Sequence, residues 1–218
     1  MKTTVIRLIR LMLGLLLYAL ATVLSINSNL GMAPWELLHS GVAQKTGFSM
    51  GQVTVFFSVV IVIIDYFMLQ QRIGIGTLAN MVVIGTSVDI INKLGFVPVQ
   101  AGIYSPFSYI QHFMCLICIS LAIYFYVGAG YGAGPRDGLF IGVSKRFNIS
   151  TKLAKTITEI FAFSIGALLG AHFGIGTAIF ALLSGPVIQQ MNKMLKFDLN
   201  GIEHEYIDDM AAKFKKSK

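Results

Sequence analysis

Long apolar runs separated by short polar turns fill the chain. A helix needs about 20 mostly apolar residues to cross the hydrocarbon of a bilayer. Six runs reach that length, with soft ends: residues 6–27, 52–70, 74–92, 108–130, 152–171 and 174–192. None alternates with the period of a strand. The pattern therefore predicts helices, which satisfy their own backbone groups in lipid, rather than a barrel. Two further segments, 34–44 and 135–145, begin with Pro and are too short to cross. Pro at the first helical position starts a helix readily, because its missing N–H would have no partner there anyway. Each segment is expected either to dip into the membrane as a half-helix or to lie flat at its surface.

The pattern occurs twice. Gly31-Met32-Ala33-Pro34-Trp35-Glu36 is matched 101 positions later by Gly132-Ala133-Gly134-Pro135-Arg136-Asp137. Leu38, Gly41, Val42 and Ser49 match Leu139, Gly142, Val143 and Ser150 in the same register. After a one-residue gap, Gly74-Ile75-Gly76-Thr77 is matched by Gly174-Ile175-Gly176-Thr177, and Gly85 and Asn92 by Gly185 and Asn192. Agreement in order, spacing and residue type marks an internal repeat. Each copy holds three spans, an odd number, so the second copy must enter the membrane upside down. The expected fold class is an all-α integral membrane protein with six transmembrane helices, built as two inverted three-helix repeats (6–92 and 108–192). They form one membrane domain, 1–192, followed by a polar tail, 193–218. Inverted repeats recur in secondary transporters, with the substrate site where the repeats meet.

Composition supports the bilayer as solvent. Of 218 residues, 55% are hydrophobic and 12% charged, about half the charge of a soluble domain, and the mean hydropathy is +0.73. The net charge of +7 does not indicate nucleic acid, because the basic residues sit at the ends of apolar runs. With the N-terminus cytoplasmic, fifteen of the seventeen basic residues fall inside and only Lys45 and Lys93 outside. That bias predicts a multi-pass protein of the bacterial cytoplasmic membrane with both termini cytoplasmic. The basic, apolar start resembles a signal peptide, but its run is long enough to span and has a counterpart in the second copy, so it is read as retained. Cys115 and Cys118 lie inside one apolar run and read as packing residues. No metal or cofactor is expected. In the tail, Ile202, Tyr206, Met210 and Phe214 recur every four residues, predicting a short amphipathic helix. His204 among the tail acids reads as solvated.

Acids are scarce enough to be informative. Before the tail there are five: Glu36, Asp65, Asp89, Asp137 and Glu159. A carboxylate within a span is costly and often marks an ion or proton path, or else pairs with a base. Asp65, Asp89 and Glu159 are the candidates for ion or proton coupling, with helix-to-helix pairing as the alternative. Pro34, Trp35, Glu36, Pro135, Arg136 and Asp137 are the candidate substrate-binding set. A half-helix aims unpaired N–H groups and a positive dipole end at its ligand, and Arg136 would add a guanidinium. The alternatives are an interfacial anchor for Trp35 and Arg136 and flat helices that only close the fold. His39, one turn after Glu36, is expected to pair with it. Gly74, Gly76, Thr77, Gly174, Gly176 and Thr177 read as structural turns, with the glycines admitting close backbone approach and the threonines bonding across helices.

The stretches GMAPWELLHSGVAQKTGFSMG and GAGPRDGLFIGVSKRFNIS, each followed by GIGT, resemble the bacterial YczE/YyaS/YitT family of integral membrane proteins. The resemblance covers residues 11–192 and departs at Ala33, where the second copy has Gly134. It implies a membrane location and no substrate or catalytic residue. The expected function is a small secondary transporter or permease for a polar or anionic solute, with proton coupling as a further possibility. The small size makes a homodimer plausible. The alternative is a non-transporting accessory protein, chaperone or sensor. No HExxH, nucleophile–base spacing or phosphate loop is present to suggest an enzyme.

Overall fold

The computed structural model describes residues 2–198 and 201–209. Among the described residues, eight long or medium α-helices run in chain order: α1 (Lys2–Asn27), α2 (Pro34–Thr46), α3 (Met50–Phe67), α4 (Ile75–Leu94), α5 (Pro106–Gly128), α6 (Pro135–Phe147), α7 (Thr151–Leu168) and α8 (Ile175–Met194). A 3-10 turn, Gly102–Tyr104, precedes α5, and no strand occurs among the described residues. Helices α1, α3, α4 and α5 are long and apolar enough to cross a membrane. Helices α7 and α8 have similar length but are more polar, α7 carrying Lys152, Lys155 and Glu159.

Local chemistry explains the boundaries. The hydroxyl of Ser49 accepts from the Gln52 N–H at 3.1 Å and starts α3. The hydroxyl of Ser150, its counterpart in the repeat, accepts from the Leu153 N–H at 3.2 Å and starts α7. Such caps satisfy N–H groups that have no partner within the helix. Helices α2 and α6 both begin at Pro and end at a left-handed residue, Gly47 (φ 76°) and Asn148 (φ 53°). Gly and Asn are the residues that tolerate that conformation.

The two halves pack by exchange. Helices α1 and α5 lie along each other, α4 packs on α1 and α8 on α5. The two short Pro-initiated helices cross to the other half, α2 against α7 and α6 against α3. The Gly76 N–H donates to the Tyr131 carbonyl at 2.7 Å, and the Gly176 N–H donates to the Leu30 carbonyl at 2.7 Å. Leu30 and Tyr131 precede Gly31 and Gly132, whose φ values of 113° and 101° suit glycine. The GxGT turns thus hold the other half's Pro motif. Thr77 completes the contact by donating to the Ala133 carbonyl at 2.6 Å.

The central core comes from one face of α1. Leu11, Leu15, Ala19 and Val23, four residues apart, are all buried and join a cluster with Cys115, Ile119 and Tyr126 of α5. Gly14 permits the close crossing, since a Cβ there would stand 2.5 Å from the Tyr126 nitrogen. Val5, Ile9 and Leu16 of the same helix are exposed, so both faces are apolar, as expected where lipid replaces water. Arg7 of α1 bonds Glu205 at 2.9 Å, which brings the start of the chain and the tail to one end of the bundle, here the terminal end. The opposite end is the distal end.

Candidate functional site

The first turns of α2 and α6 line one cavity of about 480 Å³. It is walled by Tyr18 and Thr22 of α1, Thr54 and Ser58 of α3, and Asn80 and Ile84 of α4 on one side. Lys155, Thr158 and Glu159 of α7 and Ser184 and Ile188 of α8 line the other. Pro34 and Pro135 lack an N–H, and Leu37 and Gly138 already donate to Ala33 and Gly134. The N–H groups of residues 35, 36, 136 and 137 are therefore the ones that have no partner within their helices.

The sequence candidates for substrate binding all come together here. Arg136 donates to Glu36 at 2.8 Å, joining the two Pro-initiated helices across the repeat boundary, and its guanidinium lies 5.5 Å from the centre of the Trp35 ring. Asp137 accepts from the Tyr126 hydroxyl. Each acid also stands in the first turn of its own helix, where it complements the positive dipole end. The expected Glu36–His39 pair is replaced. Glu36 takes Arg136, while the His39 Nδ1 is 3.0 Å from the Thr54 hydroxyl and 3.5 Å from Arg136. A guanidinium offers several donors in a fixed fork and outcompetes an imidazole for a buried carboxylate.

The coupling candidates separate. Glu159 lines the cavity and lies 3.7 Å from Lys155. Asp65 is buried behind α6, with one carboxylate oxygen lacking any partner. The other is so near the Gly138 Cα that a Cβ there would stand 2.5 Å from it. Asp89 lies away from the cavity towards the distal end, accepting from the Ser49 hydroxyl at 2.5 Å and the Gly51 N–H at 2.8 Å.

The tail differs from expectation. Residues 202–206 are not helical, and Met210 and Phe214 lie outside the described residues. Backbone bonds hold the strip instead: Glu205 N–H to Gly130 at 2.8 Å and Ile207 N–H to Ile73 at 3.0 Å. His204, expected in solvent, lines the cavity and its Nδ1 accepts from the Gly132 N–H at 3.3 Å. Partial burial holds its imidazole below the ordinary pKa. Tyr18, Asn80, Tyr126 and Lys155 are among the cavity residues that sequence reasoning did not single out, and no motif or spacing marked them. His204 was visible as a histidine in a short polar tail, but its place at the cavity was not.

The profile of a family of unknown function, DUF6198, matches residues 5–193. An uncharacterised protein of Haemophilus influenzae is 34% identical, covering 81% of this chain and 81% of that one. The uncharacterised membrane protein YczE of Bacillus subtilis is 28% identical, over 81% of this chain and 80% of its own length. The uncharacterised protein YyaS of the same organism is 23% identical, over 81% and 87%. No solved structure matches.

Proposed function

The chain belongs to the DUF6198 family of unknown function, and from the cavity at its centre we propose that it is a small secondary transporter or permease for a polar solute. All six long helices cross the bilayer, α1–α4 and α5–α8 forming inverted repeats. Helices α2 and α6 dip in from opposite faces, and both termini are cytoplasmic. The single observation that carries this reading is the composition of the cavity wall. A bundle that only scaffolds a partner gains by filling its interior to close packing. This one keeps a space of about 480 Å³ lined by Arg136, Glu36 and Asp137, at the meeting of two half-helix N-termini. Broken helices hold polar solutes this way in transporters.

The lining carries both signs of charge, and Arg136 is already engaged by Glu36. An anion has to displace a carboxylate to reach it, so polar neutral or zwitterionic solutes suit the site better than simple anions. Glu159, at the cavity, and Asp65, behind it, remain the groups through which protons would couple. A non-transporting accessory role predicts that emptying the cavity of charge is harmless.

Purified protein screened against polar solutes should gain thermal stability from a true ligand by mass action. That ligand should then accumulate in proteoliposomes. A solute that stabilises Arg136→Met as well as the parent chain, or no uptake of any stabilising solute, overturns the reading.

A further inference from the structure

We propose that the seam between α3 and α4 is the distal gate of the cavity, latched by the Asp89 carboxylate on the start of α3. The inference rests on the transport reading above. From the cavity outward the seam has three layers. Thr54, Ser58 and Ile84 line the cavity itself. Next, Gly51 and Gly85 bring the two backbones together, so that a Cβ on Gly85 would stand 2.6 Å from the Gly51 carbonyl. Outermost, Asp89 of α4 takes the Ser49 hydroxyl at 2.5 Å and the Gly51 N–H at 2.8 Å. These groups stand at the N-terminus of α3, where a carboxylate is favoured by the unpaired N–H groups and the helix dipole.

The chain contains its own comparison. In the second copy Gly51 is replaced by Lys152 and Asp89 by Gln189, while Ser150 and Gly185 keep the places of Ser49 and Gly85. There α7 and α8 do not pack along each other as α3 and α4 do. A Cβ on Gly185 would meet nothing within 4 Å. The cavity reaches into that gap through Lys155, Glu159, Ser184 and Ile188. The same helix pair is thus latched in one copy and parted in the other. Of the clasp itself, the acid and the glycine opposite it occur only in the latched copy, while the capping serine occurs in both. A hydrogen-bonded clasp near the rim separates by breaking two bonds that water can replace. Opening this seam would join the cavity to the distal side.

The test needs no solute. In a background with Cys115→Ala and Cys118→Ala, Ser58→Cys places a thiol in the cavity wall. Its reaction with a membrane-impermeant charged maleimide is timed in right-side-out and inverted vesicles, so that each face is probed. With Asp89 in place the thiol should react slowly from the distal side. Asp89→Asn should speed distal-side labelling at least tenfold, and Asp89→Glu should restore slow labelling. Ser49→Ala, which removes one of the two bonds, is read the same way should Asp89→Asn fail to fold. Distal labelling that is unchanged in these variants overturns the gate, whether or not the melting temperature falls. A chain that gates but takes up no solute sinks the transport reading alone, and uptake with distal labelling blind to Asp89 sinks the gate alone.

Discussion

Arg136 and Glu36 follow the prolines of two different Pro motifs, lie 100 positions apart in sequence, and form one 2.8 Å ion pair in the wall of a shared cavity. Glu36 is 7% exposed at its side chain and Arg136 23%, so removing either partner strands a poorly hydrated charge. Such a loss typically costs about 3–5 kcal/mol, whereas replacing both with apolar residues of similar volume is far milder. Glu36→Leu or Arg136→Met alone is expected to lower the unfolding free energy by roughly that amount. The double variant should recover most of it, as read by a double-mutant cycle in detergent. Additive losses would mean that the pair carries no mutual stabilisation.

Equivalent glycines of the two copies should respond differently. Gly85→Ala drives a methyl against the Gly51 carbonyl and Val55, each 2.6 Å from the new Cβ. Overpacking of this kind costs about 1–3 kcal/mol. Gly185→Ala meets open space and should change stability by no more than about 0.5 kcal/mol against folding. Thermal melts of the two variants side by side check this.

Two arginines hold the tail with unequal strength. Arg7 donates to Ala129 at 2.8 Å, to Gly130 at 3.0 Å and to Glu205 at 2.9 Å. Arg7→Ala removes all three of these hydrogen bonds at once and should cost about 1–3 kcal/mol. Arg72 pairs with Asp209 at 2.5 Å in an exposed position, where screening leaves an ion pair little net value. Arg72→Ala should leave the melting midpoint unchanged within error.

Docking of residues 202–209 should weaken in mild acid. Partial burial sets the folded-state pKa of His204 below its unfolded value. The stabilisation of the docked tail by neutral His204 is therefore present above the ordinary value of about 6.5. It is lost as pH falls through the lower folded value. Hydrogen exchange of the Glu205 and Ile207 amides, followed between pH 8 and 5 and corrected for intrinsic rates, should show protection falling on the acid side. His204→Asn should flatten the profile, and an unchanged profile in that variant would assign the loss to other groups.

The linear pattern carried much of the architecture. Apolar runs marked six long helices, and prolines at 34 and 135 marked two short ones, with boundaries shifted by one or two residues where Ser49, Ser150, Gly47 and Asn148 supply the actual caps. The duplicated motifs identified which positions are equivalent, scarcity drew attention to Glu36 and Asp137 among five acids, and Arg136 stood out as the basic residue within a Pro motif. Uniformly apolar helices do not say which face turns inward, because residues that meet lipid and residues that meet protein are chosen by the same chemistry. Partners could therefore not be read off. His39 looked like the partner of Glu36 because a helix places residues three apart together, and only the crossing of α6 brought a stronger donor there.

Sequence by itself determined what is local or repeated: helical runs, caps, and the paired motifs. The tertiary structure alone decided how the copies exchange contacts, which acids share the cavity, why α3 closes on α4 while α7 parts from α8, and where residues 202–209 dock. Those outcomes depend on distances between segments far apart in the chain. At such distances a few ångströms decide whether two charges meet, and no periodicity along one strand of sequence records that separation.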